Sequence, residues 1–182
     1  NTLRKNIDKS VRLGLELVGK HQINKWLQIG ANVTLSQNKI KNFTETIYDY
    51  THQTKEVNVF HGTTDISLSP NITGAGLFTY QNSKGMVITW ITKLTGQQFL
   101  DNTSNPNRRL PAFSTSHINF SFPLKTQFAK EFQIQAQLNN LFNLRYASGG
   151  YSYTYIYSQQ ITENFLYPQA GFHGMAGVLI KL

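Results

Sequence analysis

Five histidines are the side chains in this sequence best suited to metal binding or proton transfer: His21, His52, His61, His117 and His173. They lie on different segments and lack the close ligand spacing of a metal site. Only nine Asp and Glu residues could act as acids or bases, and the sequence has no Cys and no glycine-rich phosphate loop. We therefore predict no catalytic site, no metal site and no cofactor, and expect a protein that is not an enzyme.

The strongest candidate for ligand binding is the run YSYTYIY at residues 151–157. Every second residue of this run is a tyrosine, and alternate residues of a β-strand share one face. A row of phenol rings offers amphipathic contacts to a ligand or to a capping protein. Alternatively, the row packs its segment against a neighbouring strand. The candidate residues are Tyr151, Tyr153, Tyr155 and Tyr157.

Two of the histidines, His52 and His61, lie in a long polar and aromatic segment. On a loop at the mouth of a binding site they could face a haem or a metal chelate. Solvated loop histidines are the commoner situation, because such binding sites are few in any one protein. Both residues are kept as candidates for ligand binding.

The elements that must position these residues show the apolar–polar alternation of β-strands. The clearest example begins with EFQIQAQL at residues 131–138, where amides separate the apolar residues, and we predict that this strand ends near Asn143. We predict about seven strands from this pattern, and the aromatic residues favour β-structure as well. The other six predicted strands lie at residues 11–17, 27–35, 66–78, 86–94, 118–124 and 172–182.

The polar face of these strands carries mostly Gln, Asn, Ser, Thr and Gly. Solvent-exposed strand positions in soluble proteins more often carry Lys, Glu and Thr. Uncharged amides suit a hydrated but crowded interior, as in the lumen of a barrel. The residues predicted to face this lumen are Gln28, Asn32, Gln133, Gln135, Gln137 and Asn139.

Short and long connections alternate along the chain. We predict the long loops at about residues 42–64, 101–111 and 144–167. Short turns at one end and long loops at the other are typical of an outer-membrane β-barrel. A soluble antiparallel sandwich or open sheet remains the alternative, because it shows the same alternation of side chains. No apolar run reaches the length of a membrane helix.

The formal net charge is +8, but the basic residues are spread along the chain and form no dense run. We therefore predict no nucleic-acid binding. The positive charge suits an anionic ligand or the phosphate-bearing headgroups of lipids.

Two motifs near the end of the chain carry a resemblance to a known family: LNNLFNLRYASGGYSY at residues 138–153 and YPQAGFHGMAGVLIKL at residues 167–182. They resemble the C-terminal end of a TonB-dependent outer-membrane receptor of the type found in Bacteroidota. SLSPNITGAGLFTY and QQFLDNTSN are similar to the preceding hairpin of that family. The sequence departs from the family pattern at Leu182, where barrel proteins most often end in Phe, and at Met175, where a polar residue is usual.

This resemblance implies an all-β, antiparallel transmembrane β-barrel. Residues 1–182 would be the C-terminal part of a larger barrel of about 22 strands, with the plug domain not in this chain. An isolated odd-numbered sheet leaves open edges that a membrane does not tolerate. The chain would therefore be part of a longer polypeptide or would pair with another one.

The function implied by the resemblance is import of a scarce nutrient across the bacterial outer membrane, energised from the inner membrane. The ligand would be an iron-siderophore, haem, cobalamin, or an oligosaccharide or peptide. The expected partners are outer-membrane lipid, the rest of the barrel with its plug and a TonB-type energising complex, and a surface lipoprotein is a further candidate. The alternatives are a passive porin or structural barrel and a soluble β-rich binding module.

Overall fold

The computed structural model describes residues 9–182, which form β-strands joined by turns. Within this range the chain has no helix that could cross a membrane. Residues 1–8, which belong to the predicted barrel segment, lie outside the described residues. The strands are β1 (Ser10–Gln22), β2 (Leu27–Asp49), β3 (Lys55–Asp65), β4 (Ile72–Gln81), β5 (Val87–Thr95), β6 (Gln98–Phe99), β7 (Arg109–Leu110), β8 (Phe113–Leu124), β9 (Glu131–Asn139), β10 (Ala147–Tyr157), β11 (Gln159–Pro168) and β12 (His173–Lys181).

One large sheet contains ten of these strands and curls into part of a barrel. The order along its wall is β1–β2–β4–β5–β8–β9–β12, and all neighbours in this order are antiparallel. The prediction of an all-β, curled antiparallel wall is confirmed at this level. The count of about seven strands is too low for the whole sheet, because β3, β10 and β11 also join it.

The predicted strand at residues 66–78 begins six residues late, at Ile72. The backbone of Leu68 has a φ of 49°, in the left-handed region that ladder residues avoid. Pro70, two residues later, has no N–H to donate to a neighbouring strand. These two residues explain why the alternation of side chains continues here while the strand does not.

Apolar side chains cover one face of the wall. The register places Ile29 opposite Phe78, Phe78 opposite Trp90, and Trp90 opposite Ile118, so that these residues form one row across four strands. Trp90 is 42% exposed and Phe78 is 45% exposed. A contiguous exposed apolar face of this kind marks a surface that lies against another apolar medium or partner.

Polar side chains cover the opposite face. A parallel row there runs from Gln28 to Thr79, Thr89, Asn119 and Gln137, each opposite the next. Residues of this face also line a recess of about 510 Å³. The alternation along each strand therefore separates an apolar face from a polar, concave one.

The connections at the two ends of the strands differ in length. We call the end with the turns 23–26, 82–86 and 125–130 the turn end. We call the opposite end of the strands the loop end; it is formed by residues 41–71, 96–112 and 140–172. Short connections alternate with long ones along the chain, as the sequence predicts. Because the wall strands are antiparallel, successive connections lie at the turn end and the loop end in turn.

Two segments that were predicted as long loops are instead strand hairpins. Residues 42–64 continue β2 and form β3, and residues 144–167 contain most of β10 and β11. We call residues 41–65 the first hairpin and residues 147–168 the second hairpin. The third predicted loop, 101–111, is irregular apart from the two-residue strand β7. The hairpins form because their polar backbones gain ladder hydrogen bonds with each other.

A β-bulge allows β2 to extend so far beyond the wall. The register between β2 and β3 shifts between Ile40 and Phe43, and Asn42 has a φ of 55°. Asn is one of the few residues that adopt this conformation readily. The shift exchanges the two faces of the strand, so that Ile40 before the bulge and Ile47 after it both point inward and are buried.

The buried core of the described residues lies at the loop end. Its buried apolar side chains are Ile40, Ile47, Leu100 and Leu110. These residues come from β2 and from the connection 96–112, which pack together. The loop end is therefore an ordered layer with its own core, built on top of the wall.

Candidate functional site

The tips of the two hairpins meet at the loop end. Strand β10 pairs in parallel with the end of β2, where Tyr155 lies opposite Tyr48 and Ile156 lies opposite Asp49. The amide of Tyr50 donates a hydrogen bond of 2.8 Å to the carbonyl of Ile156. Backbone pairing thus joins two segments about a hundred residues apart in sequence.

Four tyrosines gather at this junction. The ring of Tyr50 lies edge-on to that of Tyr155 at 6.5 Å and is 6.3 Å from that of Tyr48. The rings of Tyr153 and Tyr155 are 5.5 Å apart. These geometries are typical of favourable aromatic pairs. We call Tyr48, Tyr50, Tyr153 and Tyr155 the tyrosine cluster.

Two hydroxyl groups of the tyrosine cluster lie within hydrogen-bond distance of each other. The Oη atoms of Tyr50 and Tyr153 are 3.5 Å apart. The hydrogen bond between the Tyr153 and Tyr50 hydroxyls, with smaller contributions from burial and from the neighbouring phenols, raises the pKa of Tyr153 above its ordinary value. The raised pKa keeps the Tyr153 phenol protonated at neutral pH, so this hydroxyl can both donate and accept hydrogen bonds. Such a surface suits a ligand that combines rings with polar groups.

The predicted tyrosine row divides between two surroundings. Tyr153 and Tyr155 belong to the tyrosine cluster, whereas Tyr151 stacks on Phe165 at 4.9 Å and lies 6.3 Å from Tyr167. Tyr157 is 60% exposed near the end of β10. Tyr151 and Tyr153 are 47% and 44% exposed, so ring packing and accessibility occur together along the row, and ligand binding by these tyrosines stays a prediction.

The two candidate histidines lie at opposite ends of the first hairpin. His52 is exposed in the turn between β2 and β3. His61 lies 2.9 Å from the carboxylate of Glu45 and its ring stacks near Phe43. Among residues 9–182 no group of three or more acidic or histidine side chains could hold a metal ion.

A buried arginine organises the layer beneath the tyrosine cluster. Arg108 is only 2% exposed, and its Nη1 atom lies 2.6 Å from Glu45 and 2.9 Å from Asp101. Burial acts to lower its pKa, but the hydrogen bonds to Glu45 and Asp101 outweigh burial and raise the pKa above its ordinary value. Arg108 therefore stays charged and fixes the connection 96–112 against the first hairpin.

A second polar link fixes the base of the first hairpin to the same connection. Asp65 forms an ion pair of 2.7 Å with Lys39 and accepts a hydrogen bond of 2.9 Å from the hydroxyl of Ser104. The Ser104 hydroxyl oxygen in turn accepts a hydrogen bond from the amide of Asp65. The two links together give the hairpin a fixed orientation above the wall.

The NLFN motif at residues 140–143 is the joint between wall and second hairpin. Asn140 is 3% exposed, and its side chain donates to the carbonyls of Leu144 and Ala170 at 2.9 and 3.0 Å. The Asn143 carboxamide oxygen accepts a bond of 2.9 Å from the amide of Phe172. Both asparagines have positive φ values of 49° and 50°. The motif thus sets where β9 ends and holds the segment that leads into β12.

The six residues predicted to face a lumen all lie on the polar face of the wall. Gln135 and Gln137 line the recess on this face. The side chain of Gln133 donates a hydrogen bond to the Ser121 hydroxyl, and that of Asn139 lies 2.9 Å from the His117 ring. Gln28 pairs with Gln22 at 2.8 Å. Asn32 lies opposite Ala75 in the same register.

Several residues of the site are absent from the sequence prediction. Tyr48 and Tyr50 lie in or next to the part of β2 for which the sequence analysis predicts a loop, although the alternation in YDY is also typical of a strand. Nothing in the local sequence distinguishes Arg108 from its neighbour Arg109, which is exposed. Its role depends on Glu45, which is 63 residues away.

Comparison with known proteins shows the fold alone. No protein-family model matches the sequence, and a search of curated proteins finds no relative. Among solved structures, the siderophore receptor PiuA from Acinetobacter baumannii is similar, with a TM-score of 0.67 over 93% of this chain and 15% sequence identity. This chain spans 21% of the length of that receptor. The curled sheet of the present chain therefore has the architecture of a segment of a receptor barrel.

Proposed function

We propose that this chain forms the C-terminal part of the barrel of a TonB-dependent outer-membrane transporter, of the type found in Bacteroidota. The complete barrel would have about 22 strands and would enclose a plug domain. Its role would be binding and transport rather than catalysis, and it would carry a scarce nutrient inward with energy from the inner membrane. The nutrient classes considered are iron-siderophores, haem, cobalamin and oligosaccharides or peptides.

The observation that carries this proposal is the division of the curled wall into two faces. An exposed apolar face with Trp90 and Phe78 suits contact with lipid, and the concave polar face with Gln135 and Gln137 suits a hydrated interior. The likeness to a siderophore receptor over 93% of the chain supports the same architecture. The NLFN motif and the end of the chain add the resemblance in sequence.

Within this proposal the tyrosine cluster would be the first contact for the ligand. It lies at the loop end, above the polar face, and is held by the Arg108 network beneath it. Protonated phenols bind flat or ring-containing molecules by stacking and orient them by hydrogen bonds. His52, exposed at the tip of the first hairpin, would lie beside such a ligand. A surface lipoprotein could cap the same region.

The experiment uses the full-length polypeptide that contains this chain, in its native host. Growth is measured on a panel in which ferric siderophore, haem, cobalamin or an oligosaccharide is the limiting nutrient. We expect loss of growth on one of them when the gene is deleted, and the same loss when the energising complex is deleted. Growth that survives loss of the energising complex would instead favour the passive porin.

A substitution then tests the site. Tyr50→Ala with Tyr153→Ala should weaken uptake of the identified nutrient by about tenfold or more, since each aromatic contact contributes roughly 1 kcal/mol. Tyr80→Ala, near the turn end, is the control with the same loss of a ring. Unchanged uptake with normal surface expression would remove the tyrosine cluster from the proposal.

Recovery of the protein in a detergent-free soluble fraction would favour the β-rich binding module.

A further inference from the structure

The three turns of the turn end carry positive charges only. The three turns at this end carry Lys25, Lys84, Lys125 and Lys130 and contain no Asp or Glu. All four lysines are exposed. The ion pairs found among residues 9–182 lie instead at the loop end or directly next to it, where acidic residues pair with Lys39 and Arg108. The acidic residue next to these turns is Glu131, which follows Lys130 and lies opposite Lys181, and the Lys130 ammonium also donates a hydrogen bond of 3.1 Å to the carbonyl of Leu182. The turn end of the described residues therefore keeps an excess of positive charge.

The turns are neighbours in space as well as similar in charge. The amide of Gln81, at the edge of the second turn, donates a hydrogen bond of 2.8 Å to the carbonyl of Trp26 in the first. A side-chain carbon at Gly85 in the second turn would lie 3.0 Å from Pro123, which precedes the third. The four lysines thus lie side by side along the turn end of the wall, next to its apolar face.

Aromatic rings accompany the lysines along the turn end. The ammonium group of Lys25 lies 4.9 Å from the centre of the Trp26 ring. Phe128 is 66% exposed in the third turn and packs edge-on against Phe132, at 5.7 Å. Phe132 belongs to the apolar face, because it lies opposite Leu124. Aromatic rings beside cations, at the border of an apolar face, are typical of residues that lie at the headgroup level of a bilayer.

We propose that the turn end binds the net-anionic headgroups of a phosphoglycerol lipid leaflet. The four lysine ammonium groups would contact the lipid phosphates, while Trp26 and Phe128 would lie at the boundary between headgroups and acyl chains. A lysine near an anionic lipid surface gains about 1 kcal/mol, which is roughly fivefold in association. Charge complementarity selects anionic lipid over zwitterionic lipid, because the turns offer cations only.

This inference rests on the proposed membrane placement and specifies the lipid that surrounds one end of the wall. The full-length polypeptide is placed in phosphatidylcholine bilayers that contain spin-labelled phosphatidylglycerol or, separately, spin-labelled phosphatidylcholine. The relative association of each labelled lipid with the protein is read from the motionally restricted part of the spectrum. We expect several-fold preference for phosphatidylglycerol, decreasing as salt screens the charges.

Matched variants assign the preference to the turn end. Replacing Lys25, Lys84 and Lys125 by Gln should remove most of the preference for phosphatidylglycerol. The control variant removes the same number of exposed cations from the loop end, at Lys55, Arg109 and Arg145, and should keep the preference. All six side chains are exposed, so neither variant is expected to unfold.

Equal association of the two lipids with the unmodified protein would overturn the inference. So would an unchanged preference in the turn-end variant, which would leave an acidic protein as the partner of the lysines. These outcomes are separate from failure of the proposed function. A protein that does not enter bilayers at all contradicts the membrane placement itself, whereas a membrane-embedded protein without lipid preference contradicts only the inference about the turn end.

Discussion

Replacing Arg108 by Met should detach the connection 96–112 from the first hairpin. The guanidinium is 2% exposed and holds two carboxylates at 2.6 and 2.9 Å. Removing one partner of a buried ion pair costs about 3–5 kcal/mol, because the remaining charge stays buried without compensation. The side chains of Glu45 and Asp101 retain 14% and 23% exposure, so partial hydration places the expected cost at the lower limit, about 3 kcal/mol.

Hydrogen–deuterium exchange on the full-length polypeptide measures this cost locally. The amide of Leu100 donates to the carbonyl of Arg108 at 2.8 Å, and that of Leu68 donates to Phe99 at 2.9 Å. Both amides report whether the connection remains attached. A loss of about 3 kcal/mol corresponds to faster exchange by roughly a hundredfold, if these amides exchange by local opening.

Two further variants separate the charge network from other effects. Arg109→Met alters the adjacent exposed residue, whose hydrogen bond to Gln97 is 3.0 Å, and should change exchange by no more than about twofold, as surface substitutions generally do. Adding Glu45→Gln to Arg108→Met should recover part of the loss, because it removes one of the stranded charges. Exchange in Arg108→Met that matches the unmodified protein would refute the account of a buried charged link.

Three further predictions concern the joints of the loop end. Asn140→Ala should destabilise the protein by about 2–3 kcal/mol, measured by thermal unfolding, because the carbonyls of Leu144 and Ala170 lose a buried donor and Ala tolerates the φ of 49° poorly. An unchanged midpoint would contradict this role. Gly150→Ala should increase exchange throughout the second hairpin, because the added carbon meets the Phe165 carbonyl and the Leu100 side chain; equal exchange would show that the backbone yields easily. Tyr50→Phe should return the pKa of Tyr153 toward its ordinary value in a phenolate absorbance titration. Because that pKa is raised in the folded protein, the hydroxyl contact stabilises the junction at neutral pH, and its contribution is lost as the pH rises through the folded pKa; an unshifted titration would exclude the contact.

The wall could be predicted from sequence because its order is local. In the strand that contains Gln133, Gln135 and Gln137, alternation alone assigns each side chain to a face, and the observed register preserves that assignment. Alternation fails where the backbone departs from an extended strand. The bulge at Asn42 exchanges the faces of β2 in mid-strand, so a single period does not describe the segment and it was taken for a loop.

The site at the loop end could be predicted only in part, because its contacts join distant segments. The spacing of Tyr153 and Tyr155 correctly indicates a shared face, but their partners Tyr48 and Tyr50 lie about a hundred residues earlier. Arg108 has no local signal at all, since its burial depends on the positions of the surrounding segments. Periodicity describes one strand at a time, whereas such contacts depend on how strands and hairpins pack in three dimensions.

The pairing of β10 with the end of β2 has a mechanical consequence. Moving Tyr155 away from β2 breaks its backbone pairing with Tyr48 and its ring contact with Tyr50 together. We therefore expect the first and second hairpins to open as one unit rather than as two independent flaps. A molecule that displaces one hairpin would then also shift the other.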